Sequence, residues 1–95
     1  MATKTTLWDS AAALRSDAEV EAYIEAALEE LDPALFAHAL GIVARKRGMA
    51  HVAQEAGLSR ESLYKALSAD GNPSLDTIMR VLHALKLEIH VAAAE

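Results

Sequence analysis

The 95-residue sequence contains no cysteine. Disulfide bonds, thiol catalysis and cysteine-ligated zinc are therefore excluded, and a reducing compartment is the natural location. No stretch approaches the roughly 20 consecutive apolar residues of a membrane-spanning helix. The N-terminus also lacks the apolar core of a secretory signal peptide. We therefore expect a soluble, cytoplasmic protein without a membrane partner.

Signals for catalysis are also lacking. The four histidines show no i, i+4 pairing with one another and share no acidic neighbour at ligand spacing: His38, His51, His83 and His90. The sequence has neither the glycine pattern of a nucleophile elbow nor a glycine-rich phosphate loop. We expect no metal, no cofactor and no enzymatic activity.

The length and composition favour one small helical domain. A chain of 10.2 kDa buries about 64% of its unfolded surface, which is enough for a modest core. Hydrophobic residues make up 53% of the sequence, and many of them are alanines, which suit closely packed helices. No linker divides the chain.

Charge is distributed unevenly along the sequence. The net charge is −5, which by itself argues against a nucleic-acid-binding protein. Residues 1–31 contain seven acidic and two basic residues, whereas residues 32–95 contain seven of each. Residues 41–67 have a local net charge of +3. Such a division indicates two different partners.

Capping signals divide the chain into helices. Ser16 and Glu19 form a capping box that opens a helix with acids on its outer face. Asp32-Pro33 ends that helix and begins a second, with a buried stripe of Leu35, Phe36, Leu40, Val43 and Ala44. Ser74 caps a later helix, for which we expect these residues to face inward: Leu75, Ile78, Met79, Leu82 and Leu85. The segment 7–14 contains the only tryptophan, Trp8, which either anchors a partner or packs on the chain's own core.

The C-terminal tail has a different period. Apolar residues alternate with polar ones from Leu85 to Val91, which predicts a strand over residues 85–92. One isolated strand leaves its backbone groups unpaired, so we expect it to pair with a second copy of the chain or with a partner's sheet. The alternative is a helix end that continues as coil.

Residues 52–67, VAQEAGLSRESLYKAL, predict a helix-turn-helix. Gly57 can adopt the left-handed backbone that ends the first helix, Leu58 fills the angle, and Ser59 caps the second helix. Apolar residues of the second helix recur at i, i+3 and i+4 and face inward. The outer face therefore carries Arg60, Glu61, Ser62, Tyr64 and Lys65, which can contact DNA. A plain helical hairpin is the alternative.

Several of these residues have two interpretations. Arg60 either pairs with guanine O6 and N7 or is a solvated surface arginine. Glu61 either accepts from cytosine or only complements the helix dipole. The run Arg45–Arg47 either contacts phosphates or stabilises a helix C-terminus. The acidic face of residues 17–30 either contacts a basic partner or is simply solvated.

The run GLSRESLYKALS is followed by GNPS and then by the spaced pattern T…VL.AL.L. In these features the sequence resembles the bacterial "probable addiction module antidote" proteins. They are a branch of the lambda-repressor-like (XRE) helix-turn-helix family, and the resemblance covers nearly the whole chain. It implies an antitoxin that binds a small basic toxin of the RelE/ParE-like type and represses its own operon by binding double-stranded DNA as a homodimer.

The resemblance implies that Arg60, Glu61, Ser62 and Lys65 face the groove, with Tyr64 near a phosphate. The loop residues Asn72 and Ser74 are further candidates for backbone contacts, although capping alone also explains Ser74. The chain departs from the family pattern at two positions: Met49 stands where the wider repressor family often has a phosphate-binding glutamine, and His51 where antidote relatives often have one.

We therefore predict an all-α domain of about five helices with a lambda-repressor-like helix-turn-helix and a short C-terminal β-strand. The acidic N-terminal arm and helix occupy residues 1–31. The helical core occupies 32–84, with the helix-turn-helix at 49–67, and the strand occupies 85–92. Two alternative functions are a stand-alone phage-repressor-like regulator and a protein-interaction module that has lost DNA binding.

Overall fold

The computed structural model describes residues 16–68 and 70–94. That part of the chain contains five α-helices: α1 (Asp17–Glu29), α2 (Pro33–Arg47), α3 (Met49–Ala56), α4 (Arg60–Ala66) and α5 (Leu75–Ala84). The predicted all-helical architecture is confirmed for these residues. The predicted segment 7–14, with Leu7 and Trp8, lies outside the described residues.

The helices begin at the residues that the capping signals indicated. The Ser16 hydroxyl accepts from the backbone N–H of Glu19 at 3.2 Å, and the Glu19 carboxylate accepts from the Ser16 N–H at 3.0 Å. Asp32 accepts from two N–H groups of the first turn of α2, and Pro33 is the first residue of that helix. The Ser74 hydroxyl caps α5 in the same way. These side chains satisfy N–H groups that have no partner within the helix.

The core lies where α3 packs on α5 and where α2 packs between α1 and α3. Helix α2 is enclosed along its middle, and the predicted residues Leu40, Val43 and Ala44 are buried there. The largest fully buried side chains come from α2, α3, α4 and the α5 region: Leu40, Val43, Val52, Leu63, Leu67, Val81 and Leu85.

The inward face of α5 differs from the prediction at two positions. Leu82 and Leu85 are buried as expected, but Leu75 is 73% exposed and Met79 is 61% exposed. Successive helical residues are about 100° apart, so Met79 lies to one side of the stripe that Val81 and Leu82 present to the core. Leu31, which follows α1 and has a φ of +57°, is also exposed.

The predicted start of a strand at Leu85 is wrong. Leu85 is the C-terminal cap of α5, its N–H donating to Val81 O. Lys86 then takes a left-handed φ of +62°, and the Leu87 N–H donates back to Leu82 O at 2.9 Å. Hydrogen bonds of this kind end a helix. Leu85 and Leu87 therefore belong to the end of α5 and not to a strand. No strand occurs among the described residues, and pairing of 87–92 with a second copy stays a prediction.

Gly71 lies against the C-terminal end of α4 with no room for a side chain. A Cβ placed there would lie 2.7 Å from Lys65 O and closer still to Ala66 O. Both obstacles are backbone atoms, so the loop or helix would have to move. We expect Gly71→Ala to lower the free energy of unfolding by about 1–3 kcal/mol, as measured by urea denaturation.

The control for this experiment is Asn72→Ala, which alters the exposed neighbouring residue. We expect it to change the unfolding free energy by less than about 0.5 kcal/mol. Equal stability of the two variants would show that the loop adapts without cost.

Candidate nucleic-acid interface

A tight turn, residues 57–59, joins α3 to α4. Gly57 has the predicted left-handed backbone, with φ +74° and ψ +30°. The Leu58 N–H donates to Ala53 O at 2.9 Å, and the half-buried Leu58 side chain packs against the core. The Ser59 hydroxyl accepts from the Ser62 N–H at 3.0 Å, which begins α4. The predicted turn chemistry is confirmed at each of these positions.

Helix α4 has one buried and one exposed face. Leu63 is fully buried, and Leu67, directly after the helix, is 1% exposed. The five predicted outer residues are all exposed: Arg60, Glu61, Ser62, Tyr64 and Lys65. The fold therefore presents this set of side chains together on one short helix.

Arg80 fixes the end of α3. Its Nη1 donates to Ala56 O at 3.4 Å, and its Nε donates to the Asp76 carboxylate at 3.0 Å. This side chain therefore joins α5 to the C-terminal end of α3, next to the turn. Sequence reasoning missed it, because no local pattern indicates which carbonyl a distant arginine reaches.

Tyr64 lies beside two arginines. The Arg60 Cζ atom is 5.8 Å from the centre of the Tyr64 ring, and the Arg45 Cζ atom, from α2, is 5.9 Å from the same centre. Both distances suit a cation–π interaction. We call these three residues the Arg45–Tyr64–Arg60 cluster. It extends the positive surface of α4 onto the end of α2.

The three basic residues that end α2 have different environments. Arg47 donates from Nη1 to Leu85 O at 3.2 Å and lies 3.7 Å from the Asp17 carboxylate through Nη2. It thus connects the end of α2 to α1 and α5. Arg45 belongs to the cluster, and Lys46 is exposed. Arg47 therefore has a structural role between helices, whereas phosphate contacts by Arg45 and Lys46 stay a prediction.

The remaining predicted residues differ in how available they are. The hydroxyls of Ser62 and Ser59 are hydrogen-bonded to each other at 2.9 Å, and the Ser74 hydroxyl is 3.2 Å from that of Thr77. Asn72 is exposed, next to Gly71 and therefore near the C-terminal end of α4. His51 is exposed on α3.

Met49 begins α3, but it is buried in the core. Its side chain packs inside the molecule, so it neither makes nor blocks a contact at the surface. Gly48, which precedes it, provides no side-chain cap. The departure from the repressor pattern at this position thus serves packing.

Residues 16–68 and 70–94 contain no group of three or more His, Asp or Glu side chains that could hold a metal ion. None of their helices is long and apolar enough to cross a membrane.

Comparison with known proteins identifies the class. Residues 4–93 match the family described as "Probable addiction module antidote protein". An uncharacterized protein of Haemophilus influenzae (strain ATCC 51907 / DSM 11121 / KW20 / Rd) is 45% identical over 84 residues, which cover 88% of this chain and 87% of the relative. No solved structure matches the chain. The protein is therefore of the antitoxin class, an antidote of an addiction module. It belongs to the probable addiction module antidote family.

Proposed function

We propose that this antitoxin neutralises a cognate toxin by direct binding and represses its own operon through α3 and α4, which act as a helix-turn-helix. The observation that carries the DNA-binding part is the exposed cationic face of α4, extended by Arg45 through Tyr64. Family membership supports the toxin-binding part and favours a regulatory protein over an enzyme.

In this proposal α4 enters the major groove. Arg60 is the first residue of α4, where an arginine can donate two hydrogen bonds to guanine O6 and N7. Lys65 and Arg45 neutralise phosphates, and the Tyr64 hydroxyl donates to another. The lambda-repressor-like type of the motif is part of the same proposal.

The operator is proposed to be palindromic and to bind a homodimer. Two copies of α4 would then enter successive major grooves about 34 Å apart. Residues 88–92 lie outside the helices, and their backbone groups could pair the two copies as antiparallel strands. Dimerisation doubles the number of phosphate contacts and links two copies of α4, so that both halves of the operator are bound as one unit.

The test of toxin binding is co-expression of this chain with the product of the adjacent small gene. Growth and co-purification are measured with and without the antitoxin. We expect the neighbour alone to stop growth and the pair to grow and to purify as a complex. A harmless neighbour, or a toxic one that is neither bound nor neutralised, would contradict the antitoxin proposal.

The DNA-binding part has a separate test. Fluorescence anisotropy is measured with a duplex from the region upstream of the chain's own coding sequence and with a scrambled duplex. We expect tighter binding to the first, with an affinity that falls steeply as salt increases because phosphate contacts release counterions. Equal binding to both duplexes, or none, would contradict operator recognition.

A further inference from the structure

A groove of about 730 Å³ lies between α1 and the segment that follows α5. We call it the α1–C-terminal groove. Apolar side chains that line it include Leu28 of α1 and Ile89 of the C-terminal segment, both partly exposed. Carboxylates of Glu21 and Glu25 line it from α1, and that of Glu88 lines it from the other wall. No residue of α4 lines this groove.

The two glutamates on the α1 wall are not held in ion pairs within the described part of the chain. Glu21 and Glu25 are four residues apart on α1, so the two carboxylates are neighbours on the helix surface and repel each other. Residues 16–31 contain no basic residue that could offset them.

The opposite wall compensates this charge only in part. Lys86 lines the groove there, and His90 is 3.3 Å from Glu88. Three glutamate carboxylates line the groove, and Lys86 supplies its one ammonium group. A groove lined by both apolar side chains and an excess of carboxylates is complementary to a segment that carries both apolar anchors and Lys or Arg side chains.

We propose that the α1–C-terminal groove binds the cognate toxin through a cationic amphipathic segment of that toxin. The inference rests on the proposed function and specifies which surface of the antitoxin performs it. The toxin and the operator then occupy different elements of the chain. Toxin binding leaves the Arg45–Tyr64–Arg60 cluster free for DNA.

The principal test is charge reversal on the α1 wall. The variant Glu21→Lys/Glu25→Lys is compared with Glu29→Lys/Glu30→Lys, which makes the same change in charge at the last residue of α1 and at its C-terminal cap, outside the groove. The probe is the purified product of the adjacent gene, titrated at 0.1 M NaCl by calorimetry. We expect the groove variant to bind at least about tenfold more weakly and the control less than about threefold.

Salt dependence adds a second measurement. Affinity of the unmodified protein for the toxin should fall as NaCl rises, because partly exposed charge pairs are screened. The groove variant should lose most of this dependence. An unchanged dependence in Glu21→Lys/Glu25→Lys would contradict the proposed role of these carboxylates.

The apolar part of the groove is tested by Ile89→Ser. Its control is Val91→Ser, two residues further along, which is 95% exposed and does not line the groove. We expect Ile89→Ser to weaken toxin binding by about tenfold, since it removes a contact that becomes buried in the complex. Equal affinities of the two variants would contradict the apolar contact.

These experiments separate failure of the groove proposal from failure of the proposed function. If the unmodified chain does not bind the neighbour's product, the antitoxin function itself fails. If it binds and Glu21→Lys/Glu25→Lys binds equally well, only the groove proposal is overturned. Retained operator binding and thermal midpoint show that the variants fold. A groove variant whose toxin affinity is unchanged overturns the proposal, whatever its thermal midpoint.

Discussion

Replacing Leu63 by alanine is expected to lower the free energy of unfolding by about 2–5 kcal/mol. Leu63 is fully buried, although it belongs to α4, whose other face is exposed. Helix α4 has only seven residues, and isolated helices of this length are unstable in water. Its position therefore depends on the burial of Leu63 and Leu67. Small domains have free energies of unfolding of about 5–15 kcal/mol, so this loss is a large fraction of the total.

Urea denaturation monitored by circular dichroism measures the loss. The matched control is Lys65→Ala, which shortens an exposed side chain on the same helix and should change stability by less than about 0.5 kcal/mol. Toxin binding by the folded fraction of Leu63→Ala should persist, because the α1–C-terminal groove contains no α4 residue. Near-native stability of Leu63→Ala would show that α4 is held in place by other contacts.

The second large effect concerns DNA. We expect Arg60→Ala to weaken binding to the operator by about 1–3 kcal/mol, and the preference for the operator over a scrambled duplex to decrease with it. The reason is the loss of two hydrogen bonds to a guanine edge at the start of α4. Anisotropy titrations with both duplexes measure affinity and preference together.

Arg45→Ala provides the comparison for Arg60→Ala. Arg45 lies next to the same Tyr64 ring. Because it belongs to α2 and not to the helix proposed to enter the major groove, we propose that it contacts a phosphate. Its loss should weaken binding to both duplexes alike and reduce the slope of log K against log salt by about 0.9 per duplex-bound chain. If Arg60→Ala also weakens both duplexes equally, Arg60 contacts phosphate and not a base. If neither variant has an effect, α4 is not the DNA-binding helix.

Arg47 shows why the basic run could not be interpreted as one unit. Its side chain bonds to Leu85 O and approaches Asp17, contacts that span 38 and 30 positions in the sequence. We therefore expect a substitution of Arg47 to affect the stability of the fold more than the affinity for DNA. Within the run 45–47, the proposed DNA contacts are therefore limited to Arg45 and its exposed neighbour Lys46.

Most of the helices could be predicted from the sequence because their determinants are local. The caps at Ser16, Asp32, Ser59 and Ser74 bond to groups two or three residues away. The turn at Gly57 depends on the backbone freedom of that one residue. The exposed face of α4 followed from the spacing of its apolar residues. Interactions of this range are encoded in a short stretch of sequence.

The C-terminal tail shows the limit of such patterns. Alternation from Leu85 to Val91 is compatible with a strand, yet Leu85 is required in the core at the end of α5. Burial of that side chain and the hydrogen bond from Leu87 to Leu82 O hold the segment as a helix end. A period of two contains no information on whether a neighbouring strand exists.

What the sequence by itself determined is the set of helices, their caps, the turn at residues 57–59 and the division of charge between an acidic N-terminal part and a basic middle. Only the tertiary structure decided that Arg45 joins Tyr64 and Arg60, that Met49 is buried while Met79 is exposed, and that α1 and the C-terminal segment enclose a groove. The physical reason is range. Caps and turns depend on neighbours within a few residues, whereas these arrangements depend on how helices distant in sequence pack against one another.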